Sequence, residues 1–433
     1  MSVAKSRFLS VCGLAILTIA TSGSASAAQQ YAIDIVHDPF HPGVRDSWFF
    51  DVNNSGQVGG YIIPPAPAPN RRQAVIYQNG AAQVVLPGET ATVRAINNQG
   101  DAVADTSAGN VVFVSGASGT VTPINIPGIG TTLGAGAFYN KPLNDLGNVL
   151  TVRSVDPADA PPNVFSGLGI WNVSGYTALT ALDPLYPYVN PPDVNDFNSG
   201  PSSFTATVSN TGLNKLNQFA ASTYDEGYDP KDPLDPDDDT STEVYNHAYL
   251  YDGHGGYKFL AQRSPTEPIR PIEIDDAGTV LGWTGHDLAL WSSTGALLSV
   301  LPAPAAGLLE FGYGGGPSVQ RNSAGEIVAI TQLKDGILLY DPTSNTWTDV
   351  TPSIGGLPAG SRFDSIQGFN DHGEFVGLVA PPGLLGTYGF VASPVPEPGT
   401  CMLSVIGLAA VGGCRRGRRN RPFPKRRPSA VNT

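Results

Sequence analysis

Cysteine is rare in this chain, and none of it lies in the region that could form a folded body. The three cysteines are Cys12, Cys401 and Cys414, all close to the two ends. The stretch between residues 29 and 395 therefore has no disulfide, no thiolate nucleophile and no cysteine ligand for a metal. The chain also lacks a Gly-x-Ser-x-Gly elbow, which excludes one common site for a nucleophilic serine. A body without these features must be stabilised by its hydrophobic core.

Basic residues are few and unevenly placed. The 433-residue chain has 24 of them against 37 acidic residues, but eight lie from Arg415 onward and two lie before residue 28. With those and Glu397 set aside, residues 29–395 carry 14 basic and 36 acidic side chains, a net charge near −22. Binding to phosphates requires clustered Lys and Arg, so this balance argues against a nucleic-acid partner. The negative charge accounts for solubility.

The first 28 residues have the three parts of a secretory signal peptide. Lys5 and Arg7 give a basic start, residues 8–20 are apolar, and Ala25-Ser26-Ala27 is a small-residue cleavage site. The apolar run is shorter than a membrane-spanning helix requires. We predict that residues 1–28 form a signal helix that signal peptidase removes. An uncleaved N-terminal anchor is the alternative.

The remaining body is organised around a short turn that recurs seven times. Each copy opens with Asn or Asp and closes three residues later, with Gly in six copies. The opening residues are Asn53, Asn97, Asn144, Asn214, Asp275, Asn322 and Asn370. The closing residues are Gly56, Gly100, Gly147, Asn217, Gly278, Gly325 and Gly373. An Asn or Asp side chain bonds its own backbone, and Gly or Asn tolerates the left-handed conformation, so each copy predicts a tight hairpin.

The spacing of these turns predicts an all-β fold, a seven-bladed β-propeller. Successive closing residues are 44, 47, 70, 61, 47 and 48 residues apart, so the period is 44–48 residues with two insertions. Each period has room for four strands; in the first unit they are Ser47–Val52, Gln57–Ile63, Ala74–Tyr77 and Gln83–Leu86. Four strands in such a period are typical of one blade. The alternatives are an open β-solenoid and a two-part β-sandwich array.

The residue before the turn is apolar in six copies, and Arg321 is the exception. The seventh unit is incomplete, because the chain enters a Pro-rich tail soon after Tyr388–Val391. Tyr31–Val36, directly after the signal peptide, has the composition of a strand. We predict that it pairs with the last unit and closes the ring, which would remove an exposed sheet edge.

Two insertions within the repeats are candidates for binding loops, because loops tolerate change. They span residues 186–201 and 224–239. In the second, Asp235, Asp237 and Asp239 alternate as in a calcium loop, but Pro236 intervenes and no Glu closes the pattern. A calcium site and a solvated acidic loop are the two interpretations of this segment.

The sequence identifies no catalytic residue, no cofactor and no metal site. Gly312–Gly316 is rich in glycine, but no helix follows it to bind a phosphate. Paired carboxylates for glycoside chemistry could come from many of the 36 acidic residues. Three or more carboxylates converging at the mouth of the central channel, with an Arg or His, would favour an enzyme. A flat or hydrophobic mouth would favour a binding module.

Three tryptophans, Trp171, Trp291 and Trp347, could stack against sugars or pack between blades. They recur at similar positions within their units. This regularity favours packing between blades.

The C-terminal segment has a tripartite pattern. Pro396-Glu397-Pro398 is a rigid extended motif, residues 401–413 are apolar, and residues 415–421 are basic. The apolar run is shorter than the roughly 20 residues of a full span, so we predict a short hydrophobic helix that anchors the chain transiently. The basic cluster would stay cytoplasmic and leave the body outside. An ordinary C-terminal membrane anchor is the alternative.

This tail resembles the PEP-CTERM sorting signal of exported bacterial proteins over residues 394–420. The resemblance depends on Pro396, Glu397, Pro398, Arg415, Arg416, Arg418 and Arg419. It implies transient attachment to the inner membrane, recognition by an exosortase, and delivery to the surface of a Gram-negative cell that makes exopolysaccharide and biofilm. The turns separately resemble the HAF-type extracellular repeats of such proteins, which have no assigned chemistry. Residues 421–433 are predicted to be a disordered basic tail.

Three functions are compatible with a propeller domain at residues 29–393. The first is a non-enzymatic surface or matrix protein that binds or structures exopolysaccharide. The second is an exported propeller hydrolase or lyase acting on polysaccharide. The third is a structural matrix component without a specific ligand.

Overall fold

The turns found in the sequence join antiparallel strands, and these hairpins are the units of the fold. The computed structural model describes residues 29–37, 44–65, 71–125, 131–132, 141–153, 168–179, 209–223, 247–264, 267, 269–304, 309, 318–384 and 386–395. Residues Tyr31–Val395 form one unit of seven sheets, so the predicted seven-bladed propeller is confirmed. The predicted signal helix, C-terminal helix and basic tail lie outside the described residues.

The first strand of the chain, β1 (Tyr31–Ile35), belongs to the last blade. Blades 1 to 3 each contain four strands in chain order. Blade 1 has β2 (Asp46–Val52), β3 (Val58–Ile63), β4 (Gln73–Gln78) and β5 (Ala81–Val84). Blade 2 has β6 (Ala91–Ile96), β7 (Ala102–Thr106), β8 (Val111–Val114) and β9 (Val121–Pro123). Blade 3 has β10 (Thr131–Thr132), β11 (Val149–Arg153), β12 (Leu168–Asn172) and β13 (Gly175–Ala178).

Blades 4 to 6 repeat this four-stranded arrangement. Blade 4 has β14 (Ser209–Asn210), β15 (Phe219–Thr223), β16 (His247–Tyr251) and β17 (Tyr257–Phe259). Blade 5 has β18 (Ile269–Ile274), β19 (Val280–Thr284), β20 (Asp287–Trp291) and β21 (Leu297–Val300). Blade 6 has β22 (Val319–Arg321), β23 (Ile327–Ile330), β24 (Ile337–Asp341) and β25 (Thr346–Asp349).

Blade 7 combines the two ends of the body. It contains β26 (Ile354–Gly355), β27 (Arg362–Phe369), β28 (Phe375–Ala380) and β29 (Tyr388–Pro394). Strand β1 pairs antiparallel with β29, and Tyr31 lies opposite Pro394. The predicted closure of the ring is therefore confirmed. The short β26, which follows a 3₁₀ turn at Thr351–Ser353 and runs parallel to β1, was not predicted.

The hydrophobic core consists of seven clusters, each shared by two successive blades. Between blades 5 and 6, for example, Leu281 and Trp283 meet Val319 and Ile327. One blade has apolar groups on a face that it cannot cover by itself, so burial requires its neighbour.

The three tryptophans named from the sequence lie in these clusters, as the packing interpretation predicted. Trp171 belongs to the cluster between blades 2 and 3, and Trp291 to the one between blades 4 and 5. Trp347 packs partly buried against the cluster between blades 5 and 6. The spacing of these tryptophans in the sequence therefore indicates where neighbouring blades pack together.

The strand predicted at Gln83–Leu86 was placed two residues too late. Asn79 and Gly80 both have positive φ, 51° and 79°, and form a two-residue turn. Strand β5 consequently begins at Ala81, directly after the turn. Leu86 lies beyond the strand, buried in the cluster between blades 1 and 2.

Candidate functional site

All seven turns have the same hydrogen-bonded form. In the first copy, the Asn53 N–H donates to the Gln57 carbonyl, and the Gly56 N–H donates to the Asn53 carbonyl, both at 3.0 Å. The Asn53 Oδ1 accepts from the N–H groups of Ser55 and Gln57, at 3.0 and 2.9 Å. The seven closing residues all have positive φ, from 59° at Asn217 to 85° at Gly325. The opening side chain thus holds each turn from within, as expected for Asn or Asp.

The same side chains connect each blade to the next, and we call the seven opening residues the amide ring. In six copies, Nδ2 of the Asn donates to the carbonyl oxygen of the opening residue in the following blade. These bonds are Asn53 to Asn97 (2.8 Å), Asn97 to Asn144 (3.1 Å), Asn144 to Asn214 (2.9 Å), Asn214 to Asp275 (2.9 Å), Asn322 to Asn370 (3.5 Å) and Asn370 to Asn53 (2.9 Å). Because these amides are buried, unmade hydrogen bonds would be costly.

The second Nδ2 proton of each Asn is also used. In most copies the acceptor is the side chain four residues later, as with Asn53 and Gln57 at 2.8 Å. In blade 3 the acceptor is Asn217 of blade 4, whose Oδ1 receives bonds from Asn144 and Asn148 at 3.0 and 2.8 Å. The one closing residue that is not glycine therefore has a bonding role between blades.

The amide ring has one ionic link, between blades 5 and 6. Asp275 has no amide proton to donate, and instead its Oδ2 accepts from Nη2 of Arg321 at 2.7 Å. The two side chains are only 16% and 11% exposed. Asp275 is the one acidic opening residue, and Arg321 is the one charged residue before a turn. The two departures from the repeat pattern are thus partners in a single bond.

A second set of bonds joins the residues that directly follow the opening residues. Backbone N–H groups donate to the side-chain oxygen of the next blade in five cases. These are Asn54 to Asn98 (2.8 Å), Asn98 to Asp145 (2.9 Å), Lys215 to Asp276 (3.1 Å), Ser323 to Asp371 (2.8 Å) and Asp371 to Asn54 (3.0 Å). These bonds form a second layer of contacts between blades, beside the first layer made by the amide ring. Both layers lie on the face of the propeller that carries the seven turns, which we call the turn face.

The turns surround one end of a central channel, where a cavity of about 170 Å³ is lined by residues of both layers. Three charged side chains from three blades meet in it. Nζ of Lys141 lies 3.8 Å from Oδ1 of Asp51 and 3.7 Å from Oε1 of Glu273. The side chains are 31%, 2% and 15% exposed, respectively. Lys141 thus pairs with two carboxylates, one from blade 1 and one from blade 5.

Each of these carboxylates also bonds the backbone of the next blade. Asp51 Oδ2 accepts from the Ile96 N–H at 3.0 Å, and Glu273 Oε2 accepts from the Arg321 N–H at 2.6 Å. Burial raises the pKa of Asp51 to about 6, against the opposing effect of Lys141, and burial likewise raises the pKa of Glu273. Burial alone would lower the pKa of Lys141, but Glu273 and Asp51 outweigh it and raise that pKa.

The channel meets the criterion that the sequence set for an enzyme, because Asp51, Glu273 and Asp275 converge there with Arg321. The carboxylates are nevertheless all engaged in the framework. Besides its bond from Ile96, Asp51 accepts the Val52 N–H at 2.9 Å. The carboxylates of the second layer accept bonds between blades in the same way. The geometry therefore suits holding the blades in register.

Several residues singled out from the sequence lie outside the described residues. They are the insertion at residues 186–201, the acidic loop at residues 224–239, Gly312–Gly316, the sorting motif Pro396, Glu397 and Pro398, and its basic cluster. Across the ranges that the structure does describe, no group of three metal-binding side chains occurs. Within those same ranges, no helix has the length and apolar character needed to cross a membrane.

The charged trio in the channel was not found from the sequence. Asp51 and Glu273 stand two positions before the opening residue in their turns, where other copies have residues such as Ala95 and Gly368. These two departures, together with Arg321, were the available signal. Charged residues at otherwise uncharged positions of a repeat indicate a shared ionic contact.

Comparison with known proteins identifies the tail but not the body. The PEP-CTERM protein-sorting motif matches residues 394–419, which confirms the predicted sorting signal. The HAF-type resemblance stays a prediction. No curated protein matches the sequence.

Among solved structures, a streptogramin B lyase is 12% identical with a TM-score of 0.47, over 86% of this chain and 100% of that chain. YCF48 from Cyanidioschyzon merolae is 14% identical with a TM-score of 0.47, over 85% and 99%. Virginiamycin B lyase from Staphylococcus aureus is 10% identical with a TM-score of 0.46, over 85% and 100%. Similarities at this level say nothing about what this chain binds or catalyses.

The motif and the fold together define the class of protein. The chain is exported, directed to the cell surface and sorted by an exosortase, and its body is a seven-bladed β-propeller.

Proposed function

We propose that this protein is a non-enzymatic component of the surface or extracellular matrix of a Gram-negative bacterium, whose propeller binds or structures exopolysaccharide in a biofilm. The sorting motif supports delivery to the surface. The resemblance of the turns to HAF-type extracellular repeats supports the same destination. The acidic body disfavours nucleic acid as a partner.

The non-enzymatic part of the proposal depends on one observation, the engagement of the channel carboxylates. A general acid or base must exchange a proton with a substrate at hydrogen-bond distance. With a pKa of about 6, Asp51 would titrate in a suitable range, yet its side chain is 2% exposed and both oxygens accept backbone N–H groups. The same residues are well placed to join blade 1 to blade 2.

The proposed sequence of partners follows from the two ends of the chain. Signal peptidase removes residues 1–28, the tail holds the protein transiently in the inner membrane, and an exosortase acts near Pro396-Glu397-Pro398. The body then meets extracellular polysaccharide. This order gives the propeller no contact with cytoplasmic ligands.

A glycan array tests the proposal when it is combined with an assay for released reducing sugar. The full-length exported chain, purified in mild detergent, should be retained on a subset of polysaccharides and should release no sugar from them. Retention without release supports a binding module. Absence of both would leave a purely structural matrix component.

The alternative function is an exported polysaccharide hydrolase or lyase. The convergence of Asp51, Glu273 and Asp275 with Arg321 and Lys141 favours it over other activities. If sugar is released, Asp51→Asn should abolish the release, whereas Asp341→Asn, an exposed carboxylate in blade 6, should not. Release that survives Asp51→Asn would place the activity outside the channel.

A further inference from the structure

A second cavity lies at the seam where the ring closes, between blades 7 and 1, and we call it the seam groove. Its volume is about 540 Å³, within the range of about 300–1,000 Å³ that is common for small-ligand sites. One wall is formed by β1 and the end of β29. The opposite wall is formed by the turns at residues 53–56 and 78–80, and the last turn contributes His372 and Glu374.

Hydrogen bonds fix the polar side chains of the seam groove in place. The Tyr77 hydroxyl donates to Asp34, and the Ser393 hydroxyl donates to Glu374 Oε1 at 3.1 Å. On the opposite wall, Gln78 Nε2 donates to the Ser55 carbonyl at 2.6 Å. A ligand would therefore meet carboxylates and amides that are already oriented, which lowers the entropic cost of binding.

The charge of the seam groove determines whether an anionic or a neutral ligand can bind there. Asp34 and Glu374 contribute two carboxylates, and none of the described residues that line the groove is Lys or Arg. An anionic ligand such as a uronate or a phosphate would be repelled. Carboxylates accept hydrogen bonds from hydroxyl groups, and amides can both donate and accept. The lining suits a neutral ligand that is rich in hydroxyls.

The rim of the seam groove is accessible. Ser55, Asn79 and His372 are exposed, and they come from three different turns. Tyr77 and Val58 lie beneath them in the core between blades 7 and 1. The floor of the groove is thus part of the hydrophobic core, and its polar edge faces solvent.

We infer that the seam groove is the sugar-binding site of the body and takes a short stretch of a neutral polysaccharide. This inference rests on the proposed function, that the body binds exopolysaccharide. It adds the location of the site and the charge class of the sugar. The bound sugar would lie between β1 and the first turn, with its hydroxyls on Asp34, Asn79 and Glu374.

The test fills the groove with a bulky side chain. Ser55→Trp places an indole at the rim, at a turn position where other copies have large residues such as Gln99 and Leu146. Ala277→Trp is the matched control, because Ala277 is exposed at the same position in blade 5, away from the groove. Calorimetric titration of the full-length chain would use neutral hexasaccharides of glucose, mannose and galactose, with hexagalacturonate as the anionic probe.

We expect Ser55→Trp to weaken binding of a neutral hexasaccharide by at least about tenfold, with Ala277→Trp within about twofold of the native chain. Hexagalacturonate should not bind. Equal affinity in both variants would overturn the inference and leave the proposed function standing. A preference for hexagalacturonate would overturn the assigned charge class. Absence of binding by the native chain to any of these hexasaccharides would overturn the inference, and the glycan array would then decide the proposed function.

A second pair of variants tests the seam groove in case Ser55→Trp destabilises the protein. Asn79→Gly removes an amide from the rim and keeps the turn, because Asn79 has a φ of 51° that Gly adopts freely. Asn345→Gly is its control, with a φ of 55° in a turn of blade 6. Weaker binding in Asn79→Gly alone supports the seam groove, and unchanged binding in both overturns it.

Discussion

Six junctions between blades are bridged by an asparagine amide, whereas the junction between blades 5 and 6 is bridged by Asp275 and Arg321. At the six junctions each blade donates to a backbone carbonyl of the blade that follows it around the ring. At the seventh the direction is reversed, and the later blade supplies the donor. The comparison shows that the repeat requires a hydrogen bond across each gap, and that either side can provide the proton.

The two kinds of bridge differ in what they cost when broken. A neutral amide bond contributes about 0.5–1.5 kcal/mol to stability, and a charge-assisted bond contributes more. Removing one partner of a buried ion pair leaves a charge without compensation. The ionic junction should therefore be the more sensitive one to a single substitution, and the amide junctions the more tolerant.

Opening the ring should have the largest effect, because every junction depends on closure. Deleting residues 31–36 removes β1 and takes Tyr31, Ile35 and Val36 out of the core. At about 2 kcal/mol for each buried apolar side chain, we expect a loss of at least about 5 kcal/mol. Thermal unfolding measures it. Ala32→Ser, at an exposed position of the same strand, should change nothing. An unchanged midpoint in the deletion would contradict closure by β1.

Breaking the ionic junction should have the next largest effect. Arg321→Leu restores the apolar residue that the other copies have before the turn but leaves the Asp275 carboxylate without its cation. We expect a loss of about 3 kcal/mol in urea unfolding. Arg362→Leu, an exposed arginine in blade 7, is the control and should cost less than about 0.5 kcal/mol. Equal costs for the two would show that the pair contributes no stability.

The pH dependence of stability should distinguish junctions that contain a buried carboxylate from junctions that do not. Burial raises the pKa of Asp51 to about 6, so between about pH 4 and pH 6 the folded state holds more protons than the unfolded chain. This contribution to stability is therefore greatest below pH 4 and is lost as the pH rises through 6. The shift corresponds to about 2–3 kcal/mol. Asp51→Asn should remove this part of the slope in unfolding measured from pH 4 to pH 7; an unaltered slope would exclude Asp51 as its source.

Breaking an amide junction should cost less than breaking the ionic one. Asn97→Ala removes the bond to the Asn144 carbonyl, the bond to Asp101 Oδ2 and the two bonds that hold its own turn. We expect a loss of about 2 kcal/mol in urea unfolding. Asn110→Ala, exposed in another turn of blade 2, is the control. If Asn97→Ala proved as costly as Arg321→Leu, the distinction between the two kinds of bridge would fail.

Converting the ionic junction into an amide junction should have the smallest effect. The double substitution Asp275→Asn with Arg321→Leu restores the repeat pattern at both positions, so an amide can donate to the Asn322 carbonyl. We expect a stability within about 1 kcal/mol of the native chain, although Arg321→Leu alone is costly. A double variant as unstable as the single one would mean that the two junctions are not interchangeable.

The blade count and the turns could be predicted because they depend on local bonds. The Asn53 side chain bonds N–H groups two and four residues away, and a positive φ at Gly56 follows from the same short segment. Ring closure was predictable from the incomplete last unit. These features are visible in a window of a few residues or in the spacing of such windows.

The contacts across the ring could not be predicted in the same way. The Asn53 amide finds its acceptor 44 residues later, and Arg321 pairs with a residue 46 positions earlier. Lys141 meets carboxylates from two non-adjacent blades, which only the curvature of the ring brings together. Local patterns in the sequence indicate that such residues are unusual, but their partners are set by the packing of blades.

The pairing of Tyr31 with Pro394 means that the body begins and ends at one place. Which blade comes first in the chain then depends only on where the polypeptide is cut. A circularly permuted chain, with residue 395 joined to residue 31 by a short linker and new ends at Gly109 in an exposed turn, would keep every contact of the ring. The site from which the protein is tethered could thus move to another blade while the architecture stays the same.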